Sequence, residues 1–83
     1  MHDVAVLRLF ASAREAAGTG RAEFDGETVG AVLAAAVAAY GSTFERILAN
    51  CRLWVNGEGA DELTAVIRGD EVAVLPPVSG GCR

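Results

Sequence analysis

The chain contains no lysine. Its seven basic residues are all arginines, and eleven aspartates and glutamates give a net charge of −4. Without an ε-amine, the protein cannot be attached to itself through lysine side chains. The acidic balance, and the lack of any run of arginines in the sequence, argue against nucleic-acid binding, which needs a basic surface. We therefore predict no nucleic-acid partner.

Residues that carry catalysis or bind metals are also scarce. There is one histidine, His2, and the two cysteines, Cys51 and Cys82, have no spacing typical of metal ligands. Cys51 follows an apolar stretch and is expected in or near the core, whereas Cys82 lies near the end of the sequence. A disulfide between them is not expected in a reducing compartment. The sequence predicts no metal site and no independent catalytic centre.

Long hydrophobic runs are absent as well. The apolar segment Val29–Tyr40 is too short to span a bilayer and is internal. Residues 1–4 lead directly into a predicted strand, without the basic stretch or cleavage site of a secretory signal. We therefore predict a cytoplasmic protein with no membrane partner. Its 83 residues are sufficient for one small domain.

Four segments have the apolar alternation or concentration typical of strands: residues 4–10, 21–25, 53–55 and 71–75. The first two are expected to pair antiparallel. Asn56-Gly57, directly after the third segment, is the strongest hairpin-turn dipeptide. Arg68-Gly69-Asp70 turns the chain into the fourth.

The main helix is predicted over residues 29–40, where apolar residues recur at helical spacing between a Thr28 N-cap and a C-terminal Gly41. Parallel pairing of the first and last strands, through the right-handed crossover that this helix provides, would bury both strands. The predicted fold class is α+β, with a mixed sheet wrapped over one main helix.

Two short helices are predicted from capping boxes, in which a serine N-cap is followed three residues later by glutamate. Ser12 would begin a helix over residues 13–17, which Gly18 would end. Ser42 would begin another over residues 43–50.

The segment after the last strand is the most informative part of the sequence. Pro76 and Pro77 end the strand pairing, because proline has no N–H to donate. We expect residues 78–83 to form a flexible C-terminal tail on a domain spanning residues 1–77. Gly80 and Gly81 lack Cβ atoms, so their backbone can enter a channel too narrow for side chains. The sequence therefore predicts a tail that is inserted into another protein's active site.

This order of elements, with its Gly-Gly tail, resembles the ubiquitin-like β-grasp fold, and within that fold the small, sulfur-carrying subunit of molybdopterin synthase. The likeness covers nearly the whole chain, and the helix predicted over residues 43–50 favours this family over the shorter thiamine-pathway carrier. The segments that carry it are residues 9–15, 55–57, 69–73 and 76–81.

The resemblance implies a chemistry for the tail. An E1-like activating enzyme would adenylate the C-terminal glycine with ATP, and sulfur would replace the adenylate to leave a thiocarboxylate. The carrying atom would be the Gly81 carbonyl carbon, with Pro76-Pro77 as a stiff base. The chain itself would bind no cofactor, because the activating partner uses the ATP. It would deliver sulfur to the large subunit of molybdopterin synthase, as a co-substrate rather than an enzyme.

The resemblance also implies an apolar docking surface near the base of the tail. Phe10, Leu75 and Val78 are the candidates, together with Pro76 and Pro77. For Phe10 and Leu75 the alternative is core packing, and an exposed apolar surface at this place would favour partner contact.

Cys82 and Arg83 depart from the family pattern, because adenylation requires the carboxylate on Gly81. We expect a precursor that a Gly-Gly-directed peptidase cuts after Gly81. Similar carriers with a dipeptide extension serve cysteine or secondary-metabolite synthesis, so these pathways, and thiamine synthesis, are alternatives to molybdopterin. An acyl shift from Gly81 to Cys82 is disfavoured, since no base or strain is visible there. A ubiquitin-like module that only binds is a further alternative and would not need Gly80 or Gly81.

Overall fold

The computed structural model describes residues 4–77, which form a mixed sheet with helices packed on one face. The elements are β1 (Val4–Leu9), α1 (Ala11–Ala17), β2 (Arg21–Asp25), α2 (Val29–Tyr40), α3 (Ser42–Leu48), β3 (Arg52–Val55), β4 (Glu58–Ala60) and β5 (Glu71–Leu75). The strand order is β2-β1-β5-β3-β4. Within this part of the chain, no helix is long and apolar enough to cross a membrane.

The two central strands, β1 and β5, pair in parallel, and every other pairing in the sheet is antiparallel. Their register aligns Leu7 with Val72 and Leu9 with Val74, and all four side chains are buried. Alternate residues point to opposite faces of a strand, so this register directs both apolar rows towards the helices. The predicted α+β β-grasp fold is confirmed.

The core lies between the sheet and α2. Helix α2 contributes Val29, Val32, Leu33 and Ala36 to it. Its N-terminus is capped as predicted, since the Thr28 hydroxyl accepts a hydrogen bond from the Ala31 N–H at 3.1 Å. Phe44 of α3 is fully buried and meets the ring of Tyr40 edge-to-face at 5.2 Å between centroids. Helix α3 therefore closes one end of the core.

Both predicted capping boxes are wrong. The N-cap of α1 is Phe10, which has an extended backbone, and the N-cap of α3 is Gly41; neither provides a side-chain cap. Ser12 therefore lies two residues, and Ser42 one residue, after the observed N-cap, inside the first helical turn. Gly41, at φ 96°, ends α2 and begins α3 in a single step that leaves no position for a Ser42 N-cap. Helix α3 also ends at Leu48, two residues earlier than predicted.

Strand β1 ends at Leu9, so the prediction that Phe10 belongs to this strand is also wrong. Ala11 follows with φ 52°, in the left-handed region that alanine seldom occupies. The chain therefore turns sharply out of the sheet between β1 and α1, and the Phe10 carbonyl accepts the first helical hydrogen bonds from Ala13 and Arg14.

Candidate functional site at the base of the C-terminal segment

Phe10 and Leu75 lie at the same end of the neighbouring strands β1 and β5. Leu9 and Val74 form the last aligned pair between β1 and β5, and Phe10 and Leu75 directly follow them. Phe10 is 40% exposed and Leu75 is 36% exposed, so neither belongs to the buried core. The two side chains form an apolar surface where the C-terminal segment begins. Their contact with a partner stays a prediction.

The prolines follow this pair directly. Strand β5 ends at Leu75, which is still aligned with Arg52 of β3, and Pro76 is half-buried while Pro77 is exposed. The end of the pairing at the prolines agrees with the sequence prediction. Val78, Gly80, Gly81 and Cys82 lie outside the described residues, so their predicted roles stay predictions.

Trp54 extends the apolar surface and was not expected there from the sequence. Its neighbours Leu53 and Val55 pack against the core, so Trp54 lies on the opposite, outer face of β3. There it is half-buried and aligned with Ala73 of β5. The strand register, which a single sequence does not reveal, places it diagonally across from Leu75, two residues along β3 from Arg52, the residue aligned with Leu75.

A basic cleft beside Phe10 was also missed. Arg8 of β1, Arg14 of α1 and Arg21 of β2 line it, together with Phe10 and Thr19, and its volume is about 360 Å³. The three arginines are spread over fourteen positions, so the sequence contains no run of them. The only available signal was the antiparallel pairing of β1 and β2, which places Arg8 opposite Arg21.

A side-chain network fixes the entry into β5 at the opposite end of the strand. Asp70 accepts hydrogen bonds from the Ile67 N–H at 2.9 Å and from the Asn56 side-chain amide at 3.0 Å. These donors hold the pKa of the Asp70 carboxyl below its ordinary value, and the Ile67 N–H has the larger effect of the two. The Asn56 side-chain oxygen in turn accepts from the Glu71 N–H at 3.0 Å. The network ties the β3–β4 turn to β5, and it thereby orients the strand that leads to the prolines.

Cys51 lacks the properties of a nucleophile. The thiol is half-buried and donates a hydrogen bond to the Ile47 carbonyl at 3.2 Å. Burial raises the pKa of the thiol, which disfavours the reactive thiolate. Within residues 4–77, no three His, Cys, Asp or Glu side chains are placed to hold a metal ion. The features of this site are therefore those of a binding surface.

Known proteins show the same fold and a related sequence. The model of the ThiS family matches residues 7–81. Small archaeal modifier protein 1 of Haloferax volcanii is 39% identical over 84 aligned positions, which cover 89% of this chain and 97% of that protein. A crystal structure of that protein superimposes with a TM-score of 0.84, at 34% identity, and covers 94% of this chain and 99% of its own.

Two further structures extend the likeness. The solution structure of small archaeal modifier protein 1 from Methanosarcina acetivorans has a TM-score of 0.86 at 27% identity, over 98% of this chain and 99% of that one. Subunit 1 in the complex of subunits 1 and 2 of molybdopterin-converting factor from Helicobacter pylori has a TM-score of 0.68 at 23% identity, over 94% and 99%, and shows the fold alone. The chain belongs to the ThiS family of small ubiquitin-like sulfur carriers and modifiers, which are not catalysts by themselves.

Proposed function

We propose that this protein is a sulfur carrier that bears a thiocarboxylate on Gly81. The observation that carries the proposal is the arrangement of residues where the C-terminal segment begins. There the central strand β5 ends at two prolines beside the exposed apolar pair Phe10 and Leu75. A family match that extends through residue 81 supports the same role for the two glycines.

The chemistry begins with a carboxylate that is a poor electrophile. An adenylating enzyme activates it: a carboxylate oxygen of Gly81 attacks the α-phosphorus of ATP and pyrophosphate leaves. Hydrosulfide then adds to the carbonyl carbon, AMP departs with the C–O bond electrons, and the S–H proton is lost. The resulting thiocarboxylate is anionic and nucleophilic. Because activation consumes ATP, we propose that the protein works in the cytoplasm.

Activation requires a free carboxylate on Gly81, and in this sequence Cys82 and Arg83 follow it. We therefore propose that a Gly-Gly-directed peptidase cuts the Gly81–Cys82 bond first. Without this cleavage the Gly81 carbonyl is an amide, which cannot attack ATP as a carboxylate does.

The acceptor we propose is the large subunit of a molybdopterin synthase. In support, the Helicobacter pylori protein that shares this fold is found with its subunit 2. Phe10, Leu75 and Val78 would contact the large subunit while the glycines enter its active site. Cysteine, thiamine or secondary-metabolite synthesis would use the same carrier chemistry with another acceptor.

Intact-mass measurement of the protein isolated from its own host tests this proposal. We expect a species ending at Gly81, with a fraction heavier by the exchange of one oxygen for one sulfur. A protein that retains Cys82 and Arg83 in every fraction would refute the carrier role and favour a ubiquitin-like module that only binds.

A second candidate function is the modification of other proteins, and the similarity to small archaeal modifier protein 1 favours it. A lysine amine of a target would then attack the adenylated Gly81 carbonyl, AMP would leave, and an isopeptide bond would form with loss of a proton from the amine. Because this chain has no lysine, we expect single adducts and no chains built through lysine. Lysines of host proteins that carry a C-terminal remnant of this sequence, found by peptide mass spectrometry, would establish this role.

A further inference from the structure

Two rows of like charge lie on the outer face of the sheet, across β2, β1 and β5. Val6 of β1 is aligned with Glu23 of β2 and with Glu71 of β5. Two residues later, Arg8 is aligned with Arg21 and with Ala73. Since every second residue of a strand shares a face, a row of glutamates is followed by a row of arginines. The arginine row is the nearer one to Phe10 and Leu75.

Arg14 adds a third guanidinium from α1. Its side chain crosses the backbone of Gly20, where a Cβ atom would lie 3.4 Å from the Arg14 Nε. Gly20 is in turn held to β1, because its carbonyl accepts a hydrogen bond from the Leu9 N–H at 3.0 Å. The lack of a side chain at Gly20 therefore lets Arg14 lie close to the row formed by Arg8 and Arg21. We call the space between these three side chains the arginine cleft.

The positive charge of the arginine cleft is only partly neutralised. Arg8 lies 3.7 Å from Glu71, and Arg21 lies 3.3 Å from Glu23, with all four side chains at least 41% exposed. Exposed pairs of this kind are weak, and each guanidinium has five N–H donors. Within residues 4–77, Arg14 forms no ion pair. A chain with a net charge of −4 thus has a basic site where its C-terminal segment begins.

We propose that the arginine cleft binds a carboxylate side chain of the enzyme that adenylates Gly81. The planar guanidinium group matches a carboxylate with two parallel hydrogen bonds. A protein that receives the C-terminal segment must cover the face beside Leu75, where Phe10 supplies an apolar centre and the arginines supply a polar rim. Interfaces with this arrangement use the rim charges for orientation and association rate. This inference rests on the proposed function and adds the chemistry of the partner surface.

The reach of the chain favours a protein carboxylate over the phosphates of the nucleotide. Gly81 follows Leu75 by six positions, which corresponds to roughly 20 Å of extended chain. A nucleotide that reacts with Gly81 inside a channel is therefore well separated from the arginine cleft. The group that meets the cleft must belong to the outer surface of the same partner.

The test uses the chain ended at Gly81 and the adenylating enzyme of the same host, with pyrophosphate release as the readout. We expect Arg14→Glu to raise the KM for the carrier roughly tenfold with kcat unchanged, and to flatten the dependence of kcat/KM on salt. Arg21→Glu should act in the same direction. The matched control is Arg68→Glu, which changes the net charge equally but lies in the turn before β5, at the opposite end of that strand from Leu75.

Equal effects of Arg14→Glu and Arg68→Glu would overturn the inference and leave the proposed function intact. Failure of the unaltered chain to become adenylated would instead refute the proposed function, and the inference with it. Titration of the isolated chain with ATP and with inorganic phosphate, followed by the NMR signals of the arginine Nε groups, provides a second measurement. Saturable shifts of Arg14 and Arg21 at sub-millimolar ligand would identify a phosphate site and would also overturn the inference.

Discussion

Val74 and Leu75 are neighbours on β5 that face opposite sides of the sheet. Substitutions at these two positions therefore test stability and partner recognition separately. Val74 is fully buried, whereas Leu75 is 36% exposed. We expect Val74→Ala to lower the free energy of unfolding by roughly 2–3 kcal/mol, because it removes two buried methyl groups and leaves a cavity. We expect Leu75→Ala to cost about 1 kcal/mol or less.

Urea denaturation measures the two stabilities, and the adenylation assay measures recognition. We expect Leu75→Ala to raise the KM for the carrier, while Val74→Ala leaves it unchanged wherever the protein is folded. A Leu75→Ala protein that is adenylated and accepted like the unaltered chain would remove Leu75 from the docking surface.

Phe10 shows why the sequence left its role open. The apolar alternation along β1 matches the burial of Ala5, Leu7 and Leu9, but Phe10 follows the last residue of the strand. Its exposure depends on the left-handed backbone of Ala11, a conformation that alanine seldom adopts and that local sequence does not indicate. The sequence therefore predicted neither the turn at Ala11 nor the direction of the Phe10 side chain.

At the scale of helices, one threonine and one serine give a matched pair of variants. Thr28→Ala removes the hydroxyl that accepts from the Ala31 N–H, and we expect a loss of about 1 kcal/mol in the free energy of unfolding. Ser42→Ala should change it by less than about 0.5 kcal/mol, because Ser42 is exposed and caps no helix. Urea denaturation compares them. If Ser42→Ala lowers the free energy of unfolding as much as Thr28→Ala does, Ser42 caps α3 after all.

The capping boxes at Ser12 and Ser42 were wrong for a shared reason. Each serine-to-glutamate spacing fits a capping box, but the N-cap position is set by where the backbone turns. At α1 that position is decided by the end of β1, and at α3 by the glycine that ends α2. At α2 the turn does fall at the threonine, because Thr28 has an extended backbone that is bridged to Ala65 and the helix begins directly after it.

The Asp70 network couples the turn between β3 and β4 to β5 in a pH-dependent way. The pKa of the Asp70 carboxyl is lower in the folded protein than in the unfolded chain. Its ionisation therefore stabilises the fold above the unfolded value of about 3.9, and this contribution is lost as the pH falls through the folded pKa. We expect Asp70→Asn to be less stable than the unaltered chain at pH 6, with a smaller difference near the folded pKa.

Urea denaturation at several pH values from neutral to strongly acidic measures this difference. Glu58 is exposed on β4, and Glu58→Gln also replaces a carboxylate with an uncharged amide. It is therefore the control for the loss of one negative charge. A stability gap between Asp70→Asn and the unaltered chain that stays constant over this range would show that ionisation of Asp70 does not support the turn.

At the scale of the whole molecule, the sequence predicted the central pairing of the sheet, but it predicted neither the fifth strand, β4, nor the surfaces. The periodicities of β1, α2 and β5 predicted the central parallel pair, because only that arrangement buries all three apolar faces. The strand register places Trp54 diagonally across from Leu75, and Arg8 directly opposite Arg21. Both adjacencies join residues distant in sequence, so periodicity within one element carries no signal for them.

The predicted division into a domain and a functional C-terminal segment leads to the last prediction. The buried apolar cluster described here runs from Ala5 to Val74. We therefore expect a chain ended at Ser79 to have the same urea midpoint as a chain ended at Gly81. We also expect it to fail in adenylation, since its carboxylate falls short by two residues, or roughly 7 Å, of the position that the partner's channel serves.

Expression of each form in a host that lacks its own copy completes the comparison. If the chain ended at Ser79 restores the host's phenotype, transfer from Gly81 is not its function and a module that only binds is favoured. If it folds, competes with the full carrier for the adenylating enzyme, and yet restores nothing, then docking and sulfur delivery belong to separate parts of the molecule. In that case the surface around Phe10 and the arginine cleft would hold the partner, and the glycines would carry the reaction.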